Sequence, residues 1–217
     1  MSDLVPAARA PLLGLGFVAL LLGVAGGLVR LGLTVPSSAA GIAWHGALMA
    51  SAFFGTLIAL ERAVAIGRTW AYLAPAASGI GGILLLAGAA RTGFALFVSA
   101  SAVFVLASAS IWVRHRALHT GLLALGALAL LVANAVLLAG MPAESAVPSW
   151  IAFLTLTIGG ERLELSRLSP VPPAARAAFG GVGVALLLAA ALVVGLSRAR
   201  RKQTPINEAP ELYHYGN

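Results

Sequence analysis

Seven runs of roughly twenty apolar residues follow one another along this 217-residue chain, at about 11–34, 41–61, 70–90, 93–113, 118–140, 149–166 and 177–197. A helix of roughly 20 such residues covers the ~30 Å of hydrocarbon in a bilayer. Within that hydrocarbon every backbone N–H and C=O must be bonded inside the protein, which leaves helices and closed barrels as the spanning forms. The runs are long and do not alternate, so they predict helices. The expected fold is an all-α, polytopic transmembrane helical bundle of about seven spans over residues 1–197, followed by a polar, basic-then-mixed C-terminal tail over 198–217. Composition agrees: 60% of the residues are hydrophobic and 10% charged, with a mean hydropathy of +0.97, values foreign to soluble domains. The first run has neither a basic segment before it nor a separate cleavage site, and is read as retained. The chain has no cysteine, which removes disulfides, thiolate ligands and iron–sulfur clusters from consideration.

The arginines orient the bundle. With the N-terminus in the cytoplasm, the inner segments up to residue 177 hold Arg9, Arg62, Arg68, Arg114, Arg116, Arg162, Arg167 and Arg176, while the outer loops hold Arg91, as the positive-inside rule requires. Trp44 and Trp150 fall at outer ends of spans and Trp70 and Trp112 at inner ends, the pattern of an aromatic belt. The tail departs from the rule. Seven crossings leave the C-terminus outside, yet Arg198, Arg200, Arg201 and Lys202 follow the last span. Residues 202–217 also contain the chain's only Lys and only Gln. Two readings stand: a solvated polar terminus, or the end of a longer membrane protein cut short.

Ionisable side chains in or beside membrane spans are costly and mark either internal pairing or function. Sorted by depth, they form two layers. The outer layer comprises His45, Trp44, Arg30 near the end of span one, and Asn134 near the outer end of span five, with Arg30 and His45 at similar depth and able to share a pocket. Arg30 suits a carboxylate, an anion or a haem propionate, and a neutral imidazole at His45 suits a metal or haem iron. The alternative is that His45 bonds a neighbouring helix and Arg30 snorkels to the interface. The inner layer holds Glu61, Arg62, His115, His119, Glu161, Arg162, Glu164 and Arg167, with Arg68, Arg114 and Arg116. So many opposite charges predict an ion-paired cap fastening spans two, five and six. The competing reading uses Glu61, Glu161 and His119 for proton entry or a carboxylate–histidine metal site. His45 and Glu61 are sixteen residues apart, about 24 Å along a helix, so one metal cannot bind both. His115 and His119 share a helical face if that helix begins by residue 115.

The remaining features concern packing. Gly23 and Gly27 form a small-xxx-small pair, and Gly159–Gly160 allow span six a close neighbour. The stretch GGVGVALLLAAALVV of span seven has no polar side chain and is expected to face lipid. No broken helix and no internal repeat is legible. No phosphate loop, nucleophile elbow or nucleotide fingerprint occurs, so enzyme activity is not expected. The net charge of +7 belongs to inner-leaflet arginines facing the lipid bilayer rather than to a nucleic-acid surface.

The segment WHGALMASAFFGTLIALERAVAIGR, and GERLELSR after span six, resemble the NnrS-like family of polytopic bacterial membrane proteins. The resemblance covers about 40 of 217 residues. Proteins of that family are haem- and copper-containing and linked to nitrogen-oxide metabolism, which implies a bacterial cytoplasmic membrane and His45 as the haem or copper ligand. This chain differs in having Gly46 and Ala47 where the family pattern continues with another His and an acid. Three functions are therefore expected in competition: haem or metal binding through His45, a proton-coupled small-molecule permease, or a non-catalytic subunit joined to other membrane subunits.

Overall fold

The computed structural model of the protein describes residues 3–165 and 172–203. Arg167, and the tail after residue 203, lie outside the described residues. The described chain is 87% helix and contains no strand. Each expected run forms a helix: α1 (Pro6–Arg30), α2 (Ala39–Ile66), α3 (Leu73–Leu86, entered through a 3₁₀ turn at Thr69–Tyr72), α4 (Ala90–Arg114), α5 (Leu118–Leu138), α6 (Val147–Leu165) and α7 (Pro173–Gln203). Five of these, α1, α2, α4, α5 and the Thr69–Leu86 segment, are long and apolar enough to cross a membrane. The other two, α6 and α7, carry charged C-terminal ends, namely Glu161, Arg162 and Glu164 on α6 and Arg198, Arg200, Arg201 and Lys202 on α7. Helix α7 runs past the expected limit at residue 197, taking the basic cluster into its last turns.

Short connections make sequence neighbours pack antiparallel. Helices α3, α4, α5 and α6 pack in sequence order, α1 lies along α2, and α7 lies on α6 and α5. Phe97, Phe153, Leu48 and Leu85 are fully enclosed. Helix α2 ends at Gly67, which takes the left-handed conformation (φ 64°) that costs glycine nothing and so terminates helices cleanly. Helices α1 and α2 approach each other closely. A Cβ at Gly26 would collide with the backbone carbonyl of Gly41. Gly23 faces Leu48 and Met49, while Gly27 faces the His45 ring more loosely. The tight contact therefore falls one residue before the glycine of the expected pair.

The expectation of unbroken helices fails in α2. Trp44 leaves helical geometry (φ −113°, ψ 19°), and Leu48–Phe54 form a π-helical segment. Wider π-turns misalign the carbonyl ladder and occur at functional sites. Here the Ser78 hydroxyl of α3 donates to the Ser51 carbonyl at 2.5 Å, satisfying an acceptor within the irregular segment. Outside the bundle, Val182, Val184, Leu188, Leu192 and Leu196 of α7 are exposed, while Gly183 is buried against Leu156 and Leu122. An apolar exposed face is what a lipid-facing helix presents.

Candidate functional site

Two clefts open at opposite ends of α2, and a polar knot lies between them. The outer cleft has a volume of about 350 Å³ and brings together Arg30, Trp44, His45, Glu144 and Trp150. Arg30 stands in the last turn of α1, where a cation is favoured by the helix dipole. His45 packs beside Gly27, one turn earlier on α1. Its Nδ1 bonds to the carbonyl of Ile42 at 3.2 Å. That partner makes Nδ1 the protonated nitrogen and Nε2 the one with a lone pair. Trp44 stands edge-on to Phe94, with ring centroids 5.0 Å apart. Gly46 leaves room for the Trp150 ring, which a Cβ there would meet at 3.0 Å. Among the described residues neither Arg30 nor Glu144 forms an ion pair, so the cleft presents a cation and an anion whose charges do not neutralise each other by direct contact.

Trp150 is only 7% exposed, so it is not a belt residue at the interface but the floor of this cleft. Its indole N–H donates to the Ser51 hydroxyl at 3.2 Å. Ser51 donates in turn to Oδ1 of Asn134 at 2.6 Å. The Asn134 amide donates to the Phe97 carbonyl at 3.2 Å and to the Ser101 hydroxyl at 3.4 Å. Asn134, expected beside His45 and Arg30, therefore lies deeper, 1% exposed, joining α2, α4, α5 and α6 beneath the cleft. Satisfied buried polar networks of this kind fix a single packing.

The inner cleft, of about 290 Å³, is lined by Arg62, Arg114, His115, His119, Thr120 and Glu164 among others. Arg62 is 7% exposed, and its Nη2 lies 3.6 Å from both Glu61 and Glu161. This pairing ties α2 to α6. His115 is not on the helix of His119: it lies in the corner after α4 (φ −126°, ψ 79°), and α5 begins at Leu118. The corner is folded by Thr120, whose hydroxyl donates to the carbonyls of His115 and Ala117 at 2.6 and 2.8 Å and accepts from the Ala117 amide at 3.3 Å. Both histidines reach the cleft by that route. Arg162 is exposed and forms no ion pair among the described residues.

A profile described as "Domain of unknown function (DUF8744)" matches residues 9–205. The chain belongs to this family. No curated protein and no solved structure matches it. The family match covers the seven helices of the described residues apart from the first three residues of α1, so both clefts and the knot between them belong to the family's domain. As to metals, no three His, Cys, Asp or Glu side chains stand close enough together to hold a metal ion among the described residues. A copper or iron ion held by side chains alone does not fit either cleft, because such sites take at least three protein donors. A haem needs as few as one axial imidazole, and His45 offers one, with Nε2 as the ligating nitrogen.

The residues that sequence reasoning did not single out are Ser51, Ser78, Ser101, Glu144 and the buried role of Trp150. Serines in apolar helices give little signal, since they satisfy their own hydroxyls on a preceding carbonyl, as Ser101 does on Phe97 at 2.7 Å. The one signal was Asn134 itself: a buried amide in a span demands partners from other helices.

Proposed function

We propose that this DUF8744 chain is a seven-span protein of a bacterial cytoplasmic membrane, N-terminus inside, that binds a small carboxylate-bearing solute in its outer cleft and acts as a permease. Arg30 pairs with the solute carboxylate, Trp44 and Trp150 flank its apolar part, and His45 and Glu144 take its polar remainder. A charged group among aromatic walls is the common composition of small-molecule sites. The observation that carries the reading is the bond from Trp150 to Ser51. It connects the floor of the cleft to the π-helical segment of α2, so that occupancy above acts on an irregular, rearrangeable turn below. Irregular spans with sites at their break are the usual architecture of transporters.

The test uses purified full-length protein in which Trp70 and Trp112 are replaced by Phe, so that the remaining fluorescence comes from the two indoles of the outer cleft. Titration with acetate and succinate is expected to change that emission saturably, and Arg30→Gln to weaken the effect by roughly tenfold, the scale of one charge-assisted contact. No saturable response to either acid rules out the site.

One observation favours a second reading, haem binding by His45: the Ile42 carbonyl fixes the imidazole tautomer that a haem iron requires. A Soret band in protein purified from haem-replete membranes, lost in His45→Ala, is its signature; its absence disposes of that reading.

A further inference from the structure

We propose that the inner cleft is a binding site for an oxyanion of the phosphate class, held by Arg62, Arg114 and His115 at the amino end of α5. Four observations converge on it. First, Arg62 lines the cleft, is more than nine-tenths buried, and has a buried Nε–H with no hydrogen-bond partner. A buried guanidinium donor left unbonded is expensive, and its Nη2 contacts with Glu61 and Glu161 at 3.6 Å are too long for hydrogen bonds. Second, Arg114 and His115 enter the same cleft from the end of α4, on a corner fixed by the Thr120 bonds. Third, His119 and Thr120, in the first turn of α5, line the cleft. A helix of 21 residues carries a partial positive charge at that end and favours anions there. Fourth, a volume of about 290 Å³ holds a phosphoryl group with room for its substituent.

Three acids stand near these groups. Glu164 is the one carboxylate among the lining residues; Glu61 and Glu161 hold Arg62 at Nη2 without lining the cleft. Arg62 thus has Nη2 held at ion-pair distance by the α2 and α6 carboxylates, while its Nε–H is buried and unbonded in a side chain that lines the cleft. The site lies at the other end of α2 from Arg30 and His45, and it stands whether or not the outer cleft binds a solute.

Phosphate chemistry reaches this face from two sources, a soluble phosphate compound or the headgroup of a phospholipid. The experiment uses full-length protein in nanodiscs of digalactosyldiacylglycerol, a bilayer lipid without phosphate, with binding of inorganic phosphate measured by equilibrium dialysis, and in parallel nanodiscs that also contain phosphatidylglycerol. The expected result is saturable phosphate binding that falls roughly tenfold in Arg114→Gln, the scale of one charge-assisted contact. It should be unchanged in Arg116→Gln, an exposed arginine two residues away that lines a separate groove against α7, and in Arg30→Gln at the opposite end. Competition by phosphatidylglycerol identifies a lipid headgroup as the source; phosphate binding that is equal in both discs identifies a soluble one. The proposal is overturned if neither phosphate nor phosphatidylglycerol is retained in an Arg114-dependent way, or if Arg114→Gln and Arg116→Gln weaken binding equally, which would mean general surface charge.

Discussion

Trp150 and Ser51, on different helices and 99 residues apart in sequence, are joined by a 3.2 Å bond from indole N–H to hydroxyl. Through it the aromatic floor of the outer cleft is continuous with the Asn134 knot at the centre of the bundle. The two ends of this chain of bonds differ in what their removal leaves behind. Trp150→Phe keeps an aromatic ring and leaves Ser51 still donating to Asn134, so the loss is one interhelical bond, on average about 0.6 kcal/mol in membrane bundles, together with the small cavity left by the shorter ring. Asn134→Leu strands the Ser51 hydroxyl and costs about 1–3 kcal/mol. Thermal unfolding in detergent should rank Asn134→Leu well below Trp150→Phe; the reverse order would mean that the knot is not what holds α2, α4 and α5 together.

Gly26 and Gly41 set the distance between α1 and α2. A methyl group at Gly26 meets a backbone carbonyl rather than the end of a flexible side chain, so relief requires the helices to move apart. Gly26→Ala should destabilise the protein by about 1–3 kcal/mol, the usual range for overpacking, and Gly26→Val by more. Gly14→Ala, where a Cβ meets nothing within 4 Å, is the matched control and should be neutral or slightly stabilising by helix propensity. Because α1 carries Arg30, the same Gly26 variants should also open the outer cleft, read as increased quenching of the cleft tryptophans.

Arg62 is shared by Glu61 and Glu161. Arg62→Gln leaves two carboxylates near each other with no cation between them, which is worse than losing all three charges. Removal of one partner from a fully buried pair costs about 3–5 kcal/mol. With the Glu161 side chain 37% exposed, solvent screening reduces this to about 1–2 kcal/mol. Arg62→Gln combined with Glu161→Gln should recover part of the loss in thermal unfolding, and a double variant no better than the single one would show that the pairing contributes nothing.

At the amino end, the Tyr72 hydroxyl donates to Asp3 at 2.7 Å, and Arg9 pairs with the same carboxylate at 2.7 Å. The Tyr72 bond first, then the Arg9 charge, hold the Asp3 carboxyl below its ordinary value of 3.8 against the opposing effect of desolvation. A carboxyl whose folded pKa is depressed stabilises the folded state above its unfolded value and loses that contribution as pH falls through the folded value. Docking of residues 3–9 against the Thr69–Tyr72 turn should therefore persist from neutral pH down to about 4 and weaken below it. Tyr72→Phe should move the Asp3 titration, followed by carboxyl carbon NMR, upward; no upward shift would remove the hydroxyl from the account.

Much of this fold was legible because long apolar helices are written in the crudest signal a sequence has, apolar length. The arginines gave the two layers for the same reason, since charge depth follows from position along a span. Rotation about each helix axis was not legible. When every face is apolar, no periodicity says that Asn134 turns toward Ser51 rather than toward Arg30, or that Trp150 faces inward. The π-helical segment left no mark either: LMASAFF contains neither Pro nor Gly, and the Ser78 hydroxyl that bonds a carbonyl within it comes from α3. Glu144 was overlooked because a loop acid draws attention only once its cleft exists.

The absence of cysteine makes topology directly measurable, because any introduced thiol is the single one. Pro36 and Ala143 lie in connections at the Arg30–His45 end, and Arg68 and Arg116 in connections at the Arg62 end. If the arginine-rich end is cytoplasmic, Pro36→Cys and Ala143→Cys should react with a membrane-impermeant maleimide in intact cells stripped of their outer membrane. Arg68→Cys and Arg116→Cys should react only after the membrane is opened. Removing one arginine leaves the strong bias of the remaining inner residues, so these variants should not invert the bundle. The opposite labelling pattern would place the oxyanion cleft outside and the Arg30–His45 cleft in the cytoplasm, reversing which solution supplies each ligand while leaving the chemistry of both sites as it stands.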